Sequence, residues 1–108
     1  MGKPDTPQAA LELLILKTLS RGPNHGFGIA LHIEQSSSEL LRVEEGSLYP
    51  ALHRLEKAGY IQAEWQMTEK ARKARVYQLT KTGRERLSTI EESWATLTEG
   101  VRRVLKWA

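Results

Sequence analysis

EGSLYPALHRLEKAGYIQAEWQM, running from Glu45 to Met67, changes its hydrophobic period part-way along. In its first half Leu48, Leu52 and Leu55 fall within about 60° of one another at 100° per residue, which predicts a helix over residues 45–58, closed by Gly59. After Gly59 the period drops to two. Ile61, Ala63, Trp65 and Met67 alternate with Gln62, Glu64 and Gln66, as a half-buried strand requires. Residues 75–80 read as its partner, with Tyr77 and Leu79 on one face. Residues 68–74 then form a hairpin loop that holds Lys70, Arg72 and Lys73. Pro50 sits awkwardly, because a proline within a helix removes one hydrogen bond and crowds the carbonyl four residues back. Either the helix starts later or its first turn is bent.

Upstream, residues 1–5 read as a frayed tail. Thr6 is expected to cap a helix that opens on Pro7, where a missing N–H costs nothing. Leu11, Leu14, Ile15 and Leu19 form its apolar stripe, and Gly22-Pro23 stop it. A second helix from His25-Gly26 carries Phe27, Ile29, Ala30 and Ile33 as far as the Ser36-Ser37-Ser38 run. Leu40, Leu41 and Val43 are expected to plug the core. Three helices followed by a basic hairpin make the plan of a winged helix-turn-helix, a mainly α (α+β) fold.

Downstream, a fourth helix starts at Thr82, whose Thr82-Gly83-Arg84-Glu85 run fits a capping box, or at its rival cap Thr80. Leu87, Ile90, Trp94, Leu97, Val101 and Val104 follow at steps of three and four, with Leu105 beside them, a heptad seam. At 1.5 Å per residue such a helix is a rod of about 39 Å, longer than the globule before it. Its apolar stripe needs cover, and a homodimer is the simplest solution. Folding back onto the chain's own first helix is the alternative. Residues 1–80 therefore read as the winged domain and 81–108 as a dimerisation helix, together one compact unit.

Composition narrows the function. The chain has 108 residues, 27% of them charged, and no cysteine, which removes disulfides, zinc ribbons and thiol chemistry together. Asp5 is the sole aspartate, and His25, His32 and His53 lack carboxylate neighbours in sequence, so no metal, cofactor or enzymatic site is expected. No apolar run reaches the roughly 20 residues of a membrane span. Glu12 and Lys17 interrupt the first apolar stretch, so a secretory signal is not expected and the cytoplasm is. The net charge of +3 says little, but its placement is uneven. Lys70, Arg72, Lys73, Arg75, Lys81, Arg84 and Arg86 face only Glu85 between residues 70 and 86. Such a block is a solvated loop or a phosphate-binding arm.

The third helix turns Gly46, Pro50, His53, Arg54 and Lys57 away from its apolar side, with Tyr49 on the flank. The major groove of B-DNA admits one helix, and its base edges suit these groups. Arg54 can grip guanine O6/N7 or a phosphate, and His53 can donate or accept. Tyr49 offers a ring and a hydroxyl, Ser47 suits a phosphate at the helix N-terminus, and Lys57 reaches the backbone. Arg54 and Lys57 would otherwise pair with Glu56 or be solvated surface, and the others would be solvated surface. Trp65 is expected in the hairpin core, holding the wing on the third helix. Trp94, on the seam, either packs a dimer or walls a pocket for aromatic compounds.

Gly46-Ser47-Leu48-Tyr49-Pro50-Ala51-Leu52-His53-Arg54-Leu55-Glu56-Lys57-Ala58-Gly59 resembles the signature of PadR-family transcriptional regulators. Arg75-x-Tyr77-x-Leu79-Thr80-x-x-Gly83-Arg84 is similar to a second part of that pattern, and the likeness covers nearly the whole chain. It implies a homodimeric winged-helix regulator, usually a repressor on a palindromic operator, of the short form with one C-terminal helix. By this resemblance Ser47, Tyr49, Pro50, His53 and Arg54 contact the operator, and Lys70, Arg72, Lys73 and Arg75 form the wing. The last helix would pack on the first helix of the other subunit, which assigns Leu11 and Ile15 to the interface with Leu87, Ile90, Trp94, Leu97, Val101, Val104 and Leu105. Trp94 matches the position at which some members bind flat aromatic effectors. The wing tip departs from the pattern, because Lys70-Ala71-Arg72-Lys73-Ala74 has no glycine. The expectation is a cytoplasmic DNA-binding dimer; the rival is a winged module that docks on a protein.

Overall fold

The computed structural model describes residues 6–107, so the expected tail at residues 1–5 and the last residue, Ala108, lie outside it. The elements are α1 (Gln8–Leu19), β1 (Asn24–His25), α2 (Gly26–Ser36), α3 (Glu45–Lys57), β2 (Ile61–Met67), β3 (Lys73–Leu79) and α4 (Lys81–Trp107). The strands form one antiparallel sheet in the order β1-β3-β2, with Ile61 opposite Leu79 and Trp65 opposite Arg75. The fold is mainly α with a small sheet, as the periods predict. None of the described helices is long and apolar enough to cross a membrane.

The core gathers where α1, α2 and α3 meet the base of the hairpin. Leu11, Ile15, Leu16, Ile29 and Leu52 are fully enclosed, and Leu48, Leu55, Ile61, Tyr77 and Leu79 close around them. Burying a Leu or Ile side chain is worth about 1.5–3 kcal/mol, so this cluster supplies much of the stability of so short a chain. Helix α3 starts at Glu45 and continues without a break past Pro50. Pro50 cannot donate to the Gly46 carbonyl, but both residues are exposed and water can take that carbonyl.

Several expectations change. Thr6 does not cap α1: its N–H and hydroxyl both donate to the Arg42 carbonyl, at 3.0 and 2.7 Å, tying the chain start to the loop before α3. Leu40 is 78% exposed rather than a core plug, because Ser38 and Glu39 take left-handed φ values of 53° and 64° and turn the chain outward. Leu41 and Val43 do pack against the core. Trp65 is 65% exposed, because the core ends near Ala63 and the outer hairpin projects into solvent.

The seam of α4 divides. Leu11 and Ile15 are wholly enclosed by their own chain and offer a partner no surface, and Leu87 and Ile90 pack into the same core. These four, expected at a dimer interface, are intramolecular contacts. The ion pairs Glu12–Arg86 (3.2 Å) and Lys17–Glu91 (3.1 Å) flank them and lay α4 alongside α1. Trp94 is half-buried at the edge of the core. Past it, Leu97, Val101, Val104 and Leu105 are 48–70% exposed.

Helix α4 starts from Thr80, the rival cap, whose Oγ1 accepts from the Gly83 N–H at 3.0 Å. The Thr80 N–H donates to the Tyr60 carbonyl at 3.1 Å. Gly83 lies against that same carbonyl so closely that a Cβ would sit 2.0 Å from its oxygen. Only glycine allows this contact.

Candidate nucleic-acid interface

On α3 the buried residues Leu48, Ala51, Leu52 and Leu55 define the inner side. Opposite them, at 100° per residue, stand Gly46, Pro50, His53 and Lys57, all exposed. Arg54 and Ser47 lie on the flank toward α1. With the Gln8 amide oxygen facing it, Arg54 donates from Nε and Nη2 to that oxygen, both at 3.2 Å, so the start of α1 steadies the guanidinium. Ser47 is half-buried in the first turn. Tyr49 lies on the other flank, its ring laid over Gly26, where a Cβ would come within 2.9 Å of Cε1.

The hairpin stands beside that second flank. Its tip folds on Thr68: the Thr68 N–H donates to the Arg72 carbonyl at 2.7 Å, and the Ala71 N–H donates to the Thr68 carbonyl at 3.0 Å. The loop is thus residues 68–72, two shorter than predicted, since the ladder extends to Lys73 opposite Met67. Ala71 takes φ 56°, the left-handed conformation that costs a non-glycine residue about 1–2 kcal/mol. The missing glycine therefore leaves the turn formed but strained. Lys70, Arg72 and Lys73 are exposed and hold no ion pair among the described residues. Arg75 differs: its Nη2 meets Glu56 Oε2 at 2.7 Å, and its guanidinium lies 6.0 Å from the Trp65 ring centre.

Between the N-terminus of α2 and the wing opens a cleft of about 420 Å³, walled by His25, Phe27, Tyr49, Trp65, Lys73 and Tyr77. Burial pushes the Tyr77 hydroxyl above its ordinary pKa; neighbouring Arg75 pulls it down, and Glu56 and Tyr49 push it up. The phenol therefore stays neutral at physiological pH. Lys70, Arg72 and Lys73 of the wing thus line the cleft, and α3 reaches it through Tyr49 on its flank.

Comparison with known proteins bears on what uses this surface. Residues 15–89 match the family described as "Transcriptional regulator PadR-like family", well over half of the chain. The chain belongs to the PadR-like family. Transcriptional regulator Rv3488 of Mycobacterium tuberculosis is 36% identical to this PadR-like chain, over 91% of it and 85% of the relative. A transcriptional regulator from Clostridium thermocellum shares the fold with a TM-score of 0.81 at 27% identity, covering 89% of this chain and 93% of that one. A PadR-like transcription factor from Bacteroides fragilis gives 0.73 at 30% identity, covering 90% and 91%. This chain is therefore a transcriptional regulator of PadR type.

Around this surface of the PadR-like chain stand residues to which the sequence gives no functional role. His25 caps α2, its Nδ1 accepting from the Gly28 N–H at 3.0 Å, and with Asn24 it adds a third strand to the wing, opposite Val76 and Tyr77. A two-residue strand has no period to detect. Phe27, 68% exposed and stacked 6.4 Å from His25, closes the near wall of the cleft. Glu56 pairs with Arg75, nineteen residues away, and not with its neighbours Arg54 or Lys57.

Proposed function

We propose that this PadR-like regulator is a sequence-specific DNA-binding homodimer that represses transcription from a palindromic operator. The observation that carries the reading is the exposed side of α3 beside unpaired Lys70, Arg72 and Lys73. One element is suited to base edges and the other to phosphates, and Tyr49 on the flank of α3 lines the same cleft as the wing cations. His53 and Lys57 occupy the centre of the helix face, while Arg54 and Tyr49 reach from its flanks and Ser47 serves a phosphate near the first turn. Pro50 fits the helix against the groove floor without adding a donor.

The dimer contact is the outer half of α4. Leu97, Val101, Val104 and Leu105 expose an apolar stripe that none of the described residues covers. Helix α1 is apolar nearly all round, and Leu13 and Leu14 stay half-exposed on its outer side, a seat for the partner's α4. Trp94, at the boundary between core and stripe, forms a wall for a planar aromatic effector whose binding releases the operator. The protein works in the cytoplasm, where its duplex is found.

Selection of bound duplexes from a random pool tests the reading. The expected result is a two-fold symmetric consensus with half-sites about one helical turn apart. Recovery of no enriched sequence, together with a stoichiometric protein partner on pull-down, would replace it with a protein-docking role.

A further inference from the structure

Three side chains meet where α3 faces the hairpin. Glu56 Oε2 accepts from Arg75 Nη2 at 2.7 Å, and Arg75 lies over the Trp65 ring at 6.0 Å. Trp65 and Arg75 are opposite one another in the β2–β3 ladder, so their stack belongs to the hairpin alone. Glu56 belongs to α3, and its ion pair is the link between the helix and the outer hairpin. We propose that Glu56 is a specificity-determining positioning residue: it holds Arg75 against α3, setting the angle of the wing and withholding that guanidinium from phosphates. The inference rests on the DNA-binding reading above.

The buried packing between wing and helix ends at Tyr77 and Leu79 on β3 and at Ala63 on β2. Beyond that level Trp65 and Met67 are about two-thirds exposed, so no core holds the outer hairpin in place. The Glu56–Arg75 contact lies one step outside the core, where a brace has the most effect on the direction of the tip. Both side chains are partly shielded, 28% and 42% exposed, so water screens the pair less than it screens a fully exposed one. Among the described residues Arg75 is the hairpin base held in an ion pair, while Lys70, Arg72 and Lys73 hold none.

Phosphate contacts raise affinity for every duplex alike, whereas base contacts need a fixed orientation. Releasing Arg75 would therefore act twice. It adds a cation that binds any backbone, and it loosens the wing that keeps α3 in register with its bases.

The test compares a duplex selected from a random pool with a scrambled one, across a range of salt. Glu56→Gln keeps the side-chain shape and removes the charge. It should tighten binding to the scrambled duplex severalfold and steepen its log–log salt dependence by about 0.9 per subunit. The preference for the selected duplex should fall severalfold. In the double variant Glu56→Gln/Arg75→Gln the salt dependence should return to the wild-type value while the preference stays low. A steeper slope that persists in the double variant would mean that Glu56 acts only as a nearby negative charge, and would overturn the proposal. Glu56→Gln with unchanged slope and preference would overturn it while leaving DNA binding intact. A wild-type protein with no salt-dependent binding to either duplex would overturn both, and melting curves of each variant identify any loss of fold.

Discussion

Replacing Gly83 by alanine should destabilise the protein, although alanine is the better helix former. Gly83 is buried in the first turns of α4, and a Cβ there would sit 2.0 Å from the Tyr60 carbonyl oxygen and 2.8 Å from Leu79 Cδ1. An unbonded carbon and oxygen need well over 3 Å, so α4 must move about 1 Å from the turn between α3 and β2. Leu79 can adjust its rotamer, but the carbonyl is backbone and already accepts from the Thr80 N–H at 3.1 Å. Overpacking of this kind costs about 1–3 kcal/mol, and the rigid partner puts Gly83→Ala at or above the upper end. The intrinsic preference for alanine in a helix returns about 1 kcal/mol. The net loss is about 2 kcal/mol, or a fall of about 10 °C in melting temperature for a domain of this size. Gly100, in the same helix, meets nothing within 4 Å, so Gly100→Ala should raise the melting temperature by a few degrees. Thermal melts followed by circular dichroism at equal protein concentration compare the two. A Gly83→Ala protein that melts at or above the wild type would refute the close-contact argument.

Three further outcomes follow from the geometry. Arg54→Ala should weaken binding to the selected duplex by about 1–3 kcal/mol and relax base preference at one position, measured by fluorescence anisotropy on single-base variants; unchanged affinity and selectivity would remove Arg54 from the groove. Leu97→Glu with Val101→Glu should give a folded monomer in sedimentation, because neither side chain belongs to the chain's own core; an intact dimer would reject the exposed stripe as the interface. Planar aromatic compounds should quench tryptophan fluorescence saturably, and Trp94→Ala should abolish this with dimerisation intact. The absence of saturable quenching across a broad panel would leave Trp94 a packing residue.

The periodic elements were legible before any coordinates. Leu48, Leu52 and Leu55 marked α3, the alternation after Gly59 marked β2, and the threonines at 80 and 82 bracketed the start of α4. A period states which residues share a side but not what lies opposite. Leu87 and Ile90 continue the heptad of Leu97 and Val101 without a break, yet the first pair meets α1 of the same chain and the second pair meets water. Alternation likewise placed Trp65 with Ile61 correctly, but the depth of the core decides that one is exposed and the other buried. The surface of α3 was read from helical geometry alone, whereas the ion pair of Glu56 with Arg75 and the grip of Gln8 on Arg54 needed the tertiary fold. Thr6 shows the limit of local rules: its composition suits a cap, but the Arg42 carbonyl thirty-six residues away claims its hydroxyl.

The Tyr60 carbonyl ties the exit of α3 to the entry of the long rod α4. The Thr80 N–H donates to it and the bare α-carbon of Gly83 presses on it, leaving no slack for one to pivot on the other. Helices α3 and α4 therefore turn as a single piece. Over the 27 residues of α4, a change of about 5° in its direction shifts the far end by about 3.5 Å, one base-pair step. If the chain pairs symmetrically as proposed above, the packing angle between the two rods becomes the dial of a caliper, and a molecule wedged between them would reset the span that the jaws grip.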